Sequence, residues 1–210
     1  MRNVILCGLL CGVAFFGVNS AEAQVKPMVR LGIAASTLSS IGDLYDNDCI
    51  SVSYVAGGAA IIPIKGIVSV QPELNLIRKG RYDNERVSGT RVKSLLFIDY
   101  IQVPVLFRIT PTSLTEGLKS KVFFNVGPYG SLLLNAKSRV KNGGKSVTTD
   151  QKDNLKDSDF GLILGSGIQF PFNKMTFQID LRYDMGLTKV SEISDDYNTK
   201  SLSLAFGILF

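Results

Sequence analysis

Apolar and polar residues alternate along most of this chain with the two-residue period of β-strands. In MTFQIDLRYDM (175–185), Met175, Phe177, Ile179, Leu181, Tyr183 and Met185 share one face, and Thr176, Gln178, Asp180, Arg182 and Asp184 share the other. KSLSLAFGILF (200–210) sets Leu202, Leu204, Phe206, Ile208 and Phe210 against Ser201, Ser203, Ala205 and Gly207. In 159–172, Phe160, Leu162, Leu164, Ile168 and Phe170 oppose Gly161, Gly165, Gly167 and Gln169. The pattern predicts strands at roughly 28–38, 52–64, 66–78, 94–110, 121–136, 159–172, 174–187 and 200–210, with one short helix at 113–120. Each strand is long enough to cross hydrocarbon at a tilt.

The connections alternate in length. PIKG (63–66) and PFNK (171–174) are tight, and 111–120 is moderate, whereas 39–51, 79–93, 137–158 and 188–199 are long and polar. Short turns at one end and long loops at the other are the layout of an outer-membrane barrel. The aromatics sort by height in the same frame. Phe107, Phe124, Phe170, Phe177 and Phe210 fall near the short-turn rim, and Phe97, Phe160 and Tyr183 near the long-loop rim. Two aromatic bands flanking an apolar belt are expected at the two lipid interfaces.

The N-terminus changes the picture from a generic β-protein to an exported one. A basic start, an apolar run over 4–18 and Ala21-Glu22-Ala23 read as a secretory signal peptide cleaved after Ala23. The run is short for a membrane-spanning helix. A mature domain of 24–210 then keeps Cys49 alone of the three cysteines, which leaves no intramolecular disulfide. The net charge of +5 is scattered rather than gathered on one face, and nucleic acid is not an expected partner. The expected architecture is all-β: an eight-stranded antiparallel up-and-down transmembrane β-barrel, with both termini periplasmic.

In that barrel Phe177, Ile179 and Leu181 face lipid, and Asp180, Arg182 and Asp184 face the lumen. Arg30, Glu73 and Arg108 fall on the inner face by phase. Eight strands enclose a space that side chains fill. Charges buried there require partners, so salt bridges are expected among Arg30, Glu73, Arg108, Asp180 and Arg182. Pro72, Pro104 and Pro128 lie inside predicted strands, where proline removes a ladder donor, and bulges are expected at all three.

Several motifs occur in the order seen in PorT-like outer-membrane β-barrel proteins: YVAGGAAIIPI, VSVQPELNLIRKG, YIQVPVLFRI, NVGPYGSLLLNAK, FGLILGSGIQF, LRYDMGLTKV and LSLAFGILF. The chain resembles that family over nearly its whole mature length. The resemblance implies an eight-stranded barrel of the Gram-negative outer membrane. Some members are linked to secretion or cell-surface assembly, and most have no assigned reaction.

Little catalytic chemistry is on offer. The chain has no histidine, which removes the usual base of barrel hydrolases. Asp180 and Asp184 are separated by Arg182, which reads as a structural ion network. Cys49 sits among acids that disfavour its thiolate. Asp43, Asp46 and Asp48 lack the spacing and terminal Glu of an EF-hand. No catalytic residue, cofactor or metal site is assigned. Outer-membrane lipid is an expected partner of the barrel; the segments 79–93 and 137–158 are rich in Lys and Arg, and lipopolysaccharide phosphates, an anionic glycan or a protein partner are the candidate ligands there. The leading reading is a non-enzymatic outer-membrane anchor displaying loops for a surface or secretion-complex partner. The alternatives are a narrow channel or transporter, and a soluble lipocalin-like periplasmic carrier.

Overall fold

The computed structural model describes residues 25–39, 50–87, 90–111, 120–142, 145–152, 155–189 and 198–210. The expected signal peptide, Cys49, Asp43, Asp46, Asp48 and nearly all of the predicted 113–120 helix lie outside these residues.

The two-residue period becomes strand throughout: β1 (Lys26–Ser39), β2 (Ser51–Lys65), β3 (Val68–Val87), β4 (Thr90–Ile109), β5 (Lys121–Asn142), β6 (Lys145–Asp150), β7 (Ser158–Phe172), β8 (Met175–Lys189) and β9 (Asn198–Leu209). Each barrel strand pairs antiparallel with its neighbours, β1 with β9 and β4 with β5 included, so the sheet closes into an eight-stranded barrel. The Phe210 N–H donates to the Pro27 carbonyl at 3.0 Å beside the closing β1–β9 pair. Strand β6 pairs only with the upper part of β5 and stands outside the ring of eight.

The tight connections carry the expected turn chemistry. Gly66 (φ 56°) and Asn173 (φ 54°) take left-handed conformations, which glycine and asparagine adopt at low cost. The sidedness follows the phase of the sequence. Val29, Leu31, Ile33, Leu164, Ile179, Leu181, Leu204 and Phe206 are exposed on the outside of the wall, and Arg30, Glu73, Arg108, Asp180, Arg182 and Asp184 are buried within it. Exposed apolar positions on every strand of the ring are the inverse of a soluble domain, whose large apolar patches are small; lipid is the solvent that accepts them.

Two expectations need correction. The segments 79–93 and 137–158 are largely strand rather than loop. β3 and β4 pair without interruption from Lys79↔Ile98 to Val87↔Thr90, and β5 and β6 pair over Lys137–Asn142 and Lys145–Asp150. Polar residues on both faces hid these strands, because a hairpin that leaves the membrane no longer needs an apolar face. Above the Ile50↔Arg81 bridge, β3 runs six further residues without β2, about 20 Å of strand at ~3.3 Å per residue. The upper halves of β3, β4 and β5, with β6, thus form a four-stranded sheet standing above the barrel.

The prolines make no bulges. Pro72, Pro104 and Pro128 keep the register on both sides, and each costs only a gap in one ladder: at Ala60 and Ile61, at Glu73 and Leu74, and at Val105 and Leu106 respectively. A proline whose missing N–H would point to one neighbour still pairs with the other. The register shift on β5 lies instead between Asp99 and Tyr100, where Leu134 is extra. It puts Asn135, Lys137, Arg139 and Lys141 on the outer face of the upper sheet.

Candidate functional site: a cross-barrel polar network and an outer basic groove

Four of the six lumen residues expected from phase meet in one closed ring. Arg30 of β1 donates to Asp180 of β8 (Nη2–Oδ1 3.0 Å) and to Glu73 of β3 (Nη1–Oε2 3.4 Å). Arg182 of β8 donates to Glu73 (Nη1–Oε2 2.7 Å), and its Nε lies 2.9 Å from Asp180 Oδ1 without hydrogen-bond alignment. All four side chains are almost wholly buried. Amides complete the carboxylates: Gln71 Nε2 and Asn75 Nδ2 donate to Glu73 at 2.6 and 2.9 Å, and Gln178 Nε2 to Asp180 at 2.8 Å.

Arg108 departs from the expected salt bridges. Among the described residues it meets no carboxylate. It donates from Nη1 to Gln71 Oε1 (2.8 Å) and Gln178 Oε1 (3.1 Å), and its guanidinium lies 3.6 Å from the Phe123 ring centroid. Two amide oxygens and an aromatic face replace an acid, a substitution that the planar, weakly hydrated guanidinium permits. Asp184 accepts from Gln102 Nε2 at 3.1 Å, higher in the lumen.

A second network, which phase alone could have found, lies toward the long-loop end. Lys79 Nζ donates to Tyr129 Oη (3.1 Å), Asp159 Oδ2 (3.1 Å) and Thr199 Oγ1 (3.0 Å), using all three of its donors. Tyr129, Thr199 and Thr188 also donate to Asp159, at 3.1, 2.9 and 2.8 Å. Lys79 shares the parity of Glu73 and Asn75, and Asp159 that of Gly161. Lys79 opens a stretch whose composition reads as an outer loop, and Asp159 stands at the end of a predicted strand, which masks both parities.

The glycines of β7 make this filling possible. A Cβ at Gly161 would stand 2.6 Å from the Tyr129 ring, one at Gly165 2.9 Å from Arg182 Cγ, and one at Gly167 would overlap the edge of the Phe123 ring. Large groups from β5 and β8 occupy the space that β7 leaves. Among the described residues no group of three or more His, Cys, Asp or Glu side chains could hold a metal ion.

Outside the wall, at the foot of the upper sheet, lies a cavity of about 280 Å³ lined by Arg78, Phe97, Asp99, Asn135, Lys137 and Arg139, with Thr148 of β6 at its edge. Arg78 is held there by both oxygens of Asp99 (Nε–Oδ1 2.6 Å, Nη2–Oδ2 3.0 Å) and lies 5.2 Å from the ring centroids of Tyr54 and Phe97.

No curated protein matches the sequence. Among solved structures, similar chains include Ail, the attachment invasion locus protein of Yersinia pestis, in complex with the heparin analogue sucrose octasulfate. It is 15% identical at TM-score 0.44, over 89% of this chain and 99% of that one. Neisserial surface protein A is 15% identical at TM-score 0.46, over 87% and 95%. OprG of Pseudomonas aeruginosa is 10% identical at TM-score 0.46, over 90% and 98%. The sequence model described as an outer membrane protein beta-barrel domain matches residues 20–192. With the closed, outwardly apolar barrel, that match establishes that the chain belongs to the outer membrane protein beta-barrel domain family and is a small barrel of the outer membrane.

Proposed function

We propose that this PorT-like barrel is a non-enzymatic membrane anchor that holds the β3–β4 and β5–β6 hairpins at the cell surface for a protein or anionic-glycan partner of a surface or secretion complex. Both termini are then periplasmic, on the side of the short turns. The observation that carries this reading is the ring Arg30–Glu73–Arg182–Asp180. It ties β1, β3 and β8 together across the lumen through fully buried charges, which suits a plugged scaffold better than a solute path. The absence of histidine and the engagement of Glu73, Asp180 and Asp159 by cations argue in the same direction against catalysis.

The test is single-channel recording from the refolded full chain in a planar bilayer. No stable conductance step is expected. A reproducible step, abolished or enlarged by substitutions at Glu73 or Asp180, would replace the anchor with a narrow channel.

A further inference from the structure

The outer basic groove has a chemistry that the anchor reading does not use. Among the described side chains, five basic ones of the upper sheet point outward: Arg78 of β3, Lys93 of β4, and Lys137, Arg139 and Lys141 of β5. Their common face follows from the pairings Arg78↔Asp99, Asp99↔Asn135, Phe97↔Lys137, Leu95↔Arg139 and Lys93↔Lys141. Asp99 is taken by Arg78. Asp150, directly across from Lys137 on β6, accepts the Lys152 N–H at 2.9 Å and forms no ion pair with Lys137. Lys93, Lys137, Arg139 and Lys141 meet no carboxylate among the described residues.

The pair Lys93↔Lys141 is the second observation. Like charges directly opposite on neighbouring strands are destabilising, and here Arg139 stands two residues from one of them. The arrangement costs free energy in the empty protein and loses that cost when an anion lies between the side chains. The position of the groove says which anion. Immediately below it on the same face are Leu76, Val103, Leu132 and Leu134, all exposed to the apolar belt; Phe97 of its lining and Tyr54 beside Arg78 are aromatics of the kind found at interfacial height. A ligand that fills the groove and continues downward is anionic at one end and aliphatic at the other.

We infer that the outward face of β3–β6 binds the phosphorylated headgroup of an outer-leaflet glycolipid. A phosphate lies over Arg139, Lys141 and Lys93, the sugar fills the cavity beside Arg78 and Asn135, and the acyl chains run down past Leu76 and Leu134. Arg78 is a fixed wall of the site rather than its main charge, because Asp99 and two rings hold it in place. The inference rests on the proposed orientation, with the hairpins outside the cell.

The probe is bis-phosphorylated lipid A, presented to the refolded full chain in detergent and followed by native mass spectrometry. Arg139→Gln/Lys141→Gln is expected to weaken retention about tenfold or more, and removing both phosphates from the lipid should do the same to the unsubstituted chain. Lys121→Gln/Lys174→Gln at the opposite rim should leave retention unchanged, with the heat-dependent electrophoretic shift confirming that each variant is folded. Equal loss from either rim would reduce the effect to net charge, and insensitivity to both phosphate and Arg139/Lys141 would overturn the site. Full competition by millimolar inorganic phosphate would show a free-anion site and overturn the lipid assignment. Orientation is read separately, by labelling Thr148→Cys in a Cys49→Ser background on intact cells with a membrane-impermeant maleimide. Labelling with failed lipid binding sinks this inference alone; labelling only after permeabilisation sinks the orientation, and with it both readings.

Discussion

The charges inside the wall and those outside it obey opposite rules. Inside, Glu73 touches two guanidiniums and accepts from two amides, and Lys79 spends every donor within 3.1 Å. Outside, Arg78 and Asp99 form one half-exposed pair, and four cations beyond it stand without an acid among the described residues. Burial explains the difference. In the lumen a charge without polar partners is prohibitively costly, so sequence positions there are fixed by partners on distant strands. At the membrane surface, water and lipid headgroups are the partners, and an excess of one sign can persist as a binding surface.

The largest effect expected is at Glu73. Glu73→Ala strands Arg30 and Arg182 together in the lumen with only Asp180 between them. A loss of about 3–5 kcal/mol follows from breaking a buried pair on one side, measured by urea unfolding in micelles. If the loss is under 1 kcal/mol, water enters the lumen freely and the contrast between inside and outside collapses. Lys79→Met comes next, because Asp159 keeps donors from Tyr129, Thr199 and Thr188. A double change with Asp159→Leu should cost less than the sum of the two singles, since removing both partners leaves no orphan.

Arg108 sharpens the comparison from within the lumen. It is buried like Arg182 but bound to amides and the Phe123 ring rather than to an acid. Arg108→Met therefore orphans no charge. Gln178 Oε1 keeps the Gln169 amide donor, at 3.3 Å, so the loss should be roughly 1–3 kcal/mol, the penalty for an unsatisfied Gln71 oxygen, and clearly less than for Glu73→Ala in the same urea series.

The division between inside and outside was legible in the sequence wherever one face met lipid. Alternation in 175–185 and 200–210 set the sidedness of β8 and β9, and parity alone placed Arg30, Glu73 and Arg182 on a common inner face. What alternation cannot encode is which inner residue reaches which. The ring is made across the lumen between strands such as β3 and β8, and Arg108 finds two glutamines instead of the acid expected for it. Alternation also fails where its cause ends. The upper sheet is wetted on both faces, so Lys137–Asn142 and Lys145–Asp150 read as loop although their backbones pair residue for residue. The prolines depart from expectation for a related reason. A bulge is one response to a missing donor, but in a closed wall each strand has two neighbours, and Pro104 keeps Tyr129 while its ladder to β3 skips.

The smallest effect expected is at the outer pair. Asp99→Asn removes the charge opposite Arg78 but keeps the shape and leaves an amide oxygen to accept one guanidinium N–H. Arg78 remains between Tyr54 and Phe97 and can turn its freed donors to water, so nothing is stranded in a dry space. Half-exposed pairs of this kind contribute about 0–1 kcal/mol, and the urea midpoint should scarcely move. The same substitution does change the groove, because it removes the carboxylate that neutralises Arg78 in its wall. Retention of bis-phosphorylated lipid A should therefore rise, by severalfold at low salt and less at high salt. An interior carboxylate shows the reverse pairing of effects: Glu73→Gln should lower stability and leave lipid A retention unaltered. Asp99→Asn lowering stability as much as Glu73→Gln would show that the pair is buried against lipid rather than wetted by headgroups. The boundary between the two kinds of charge would then lie higher on the barrel, above Lys137.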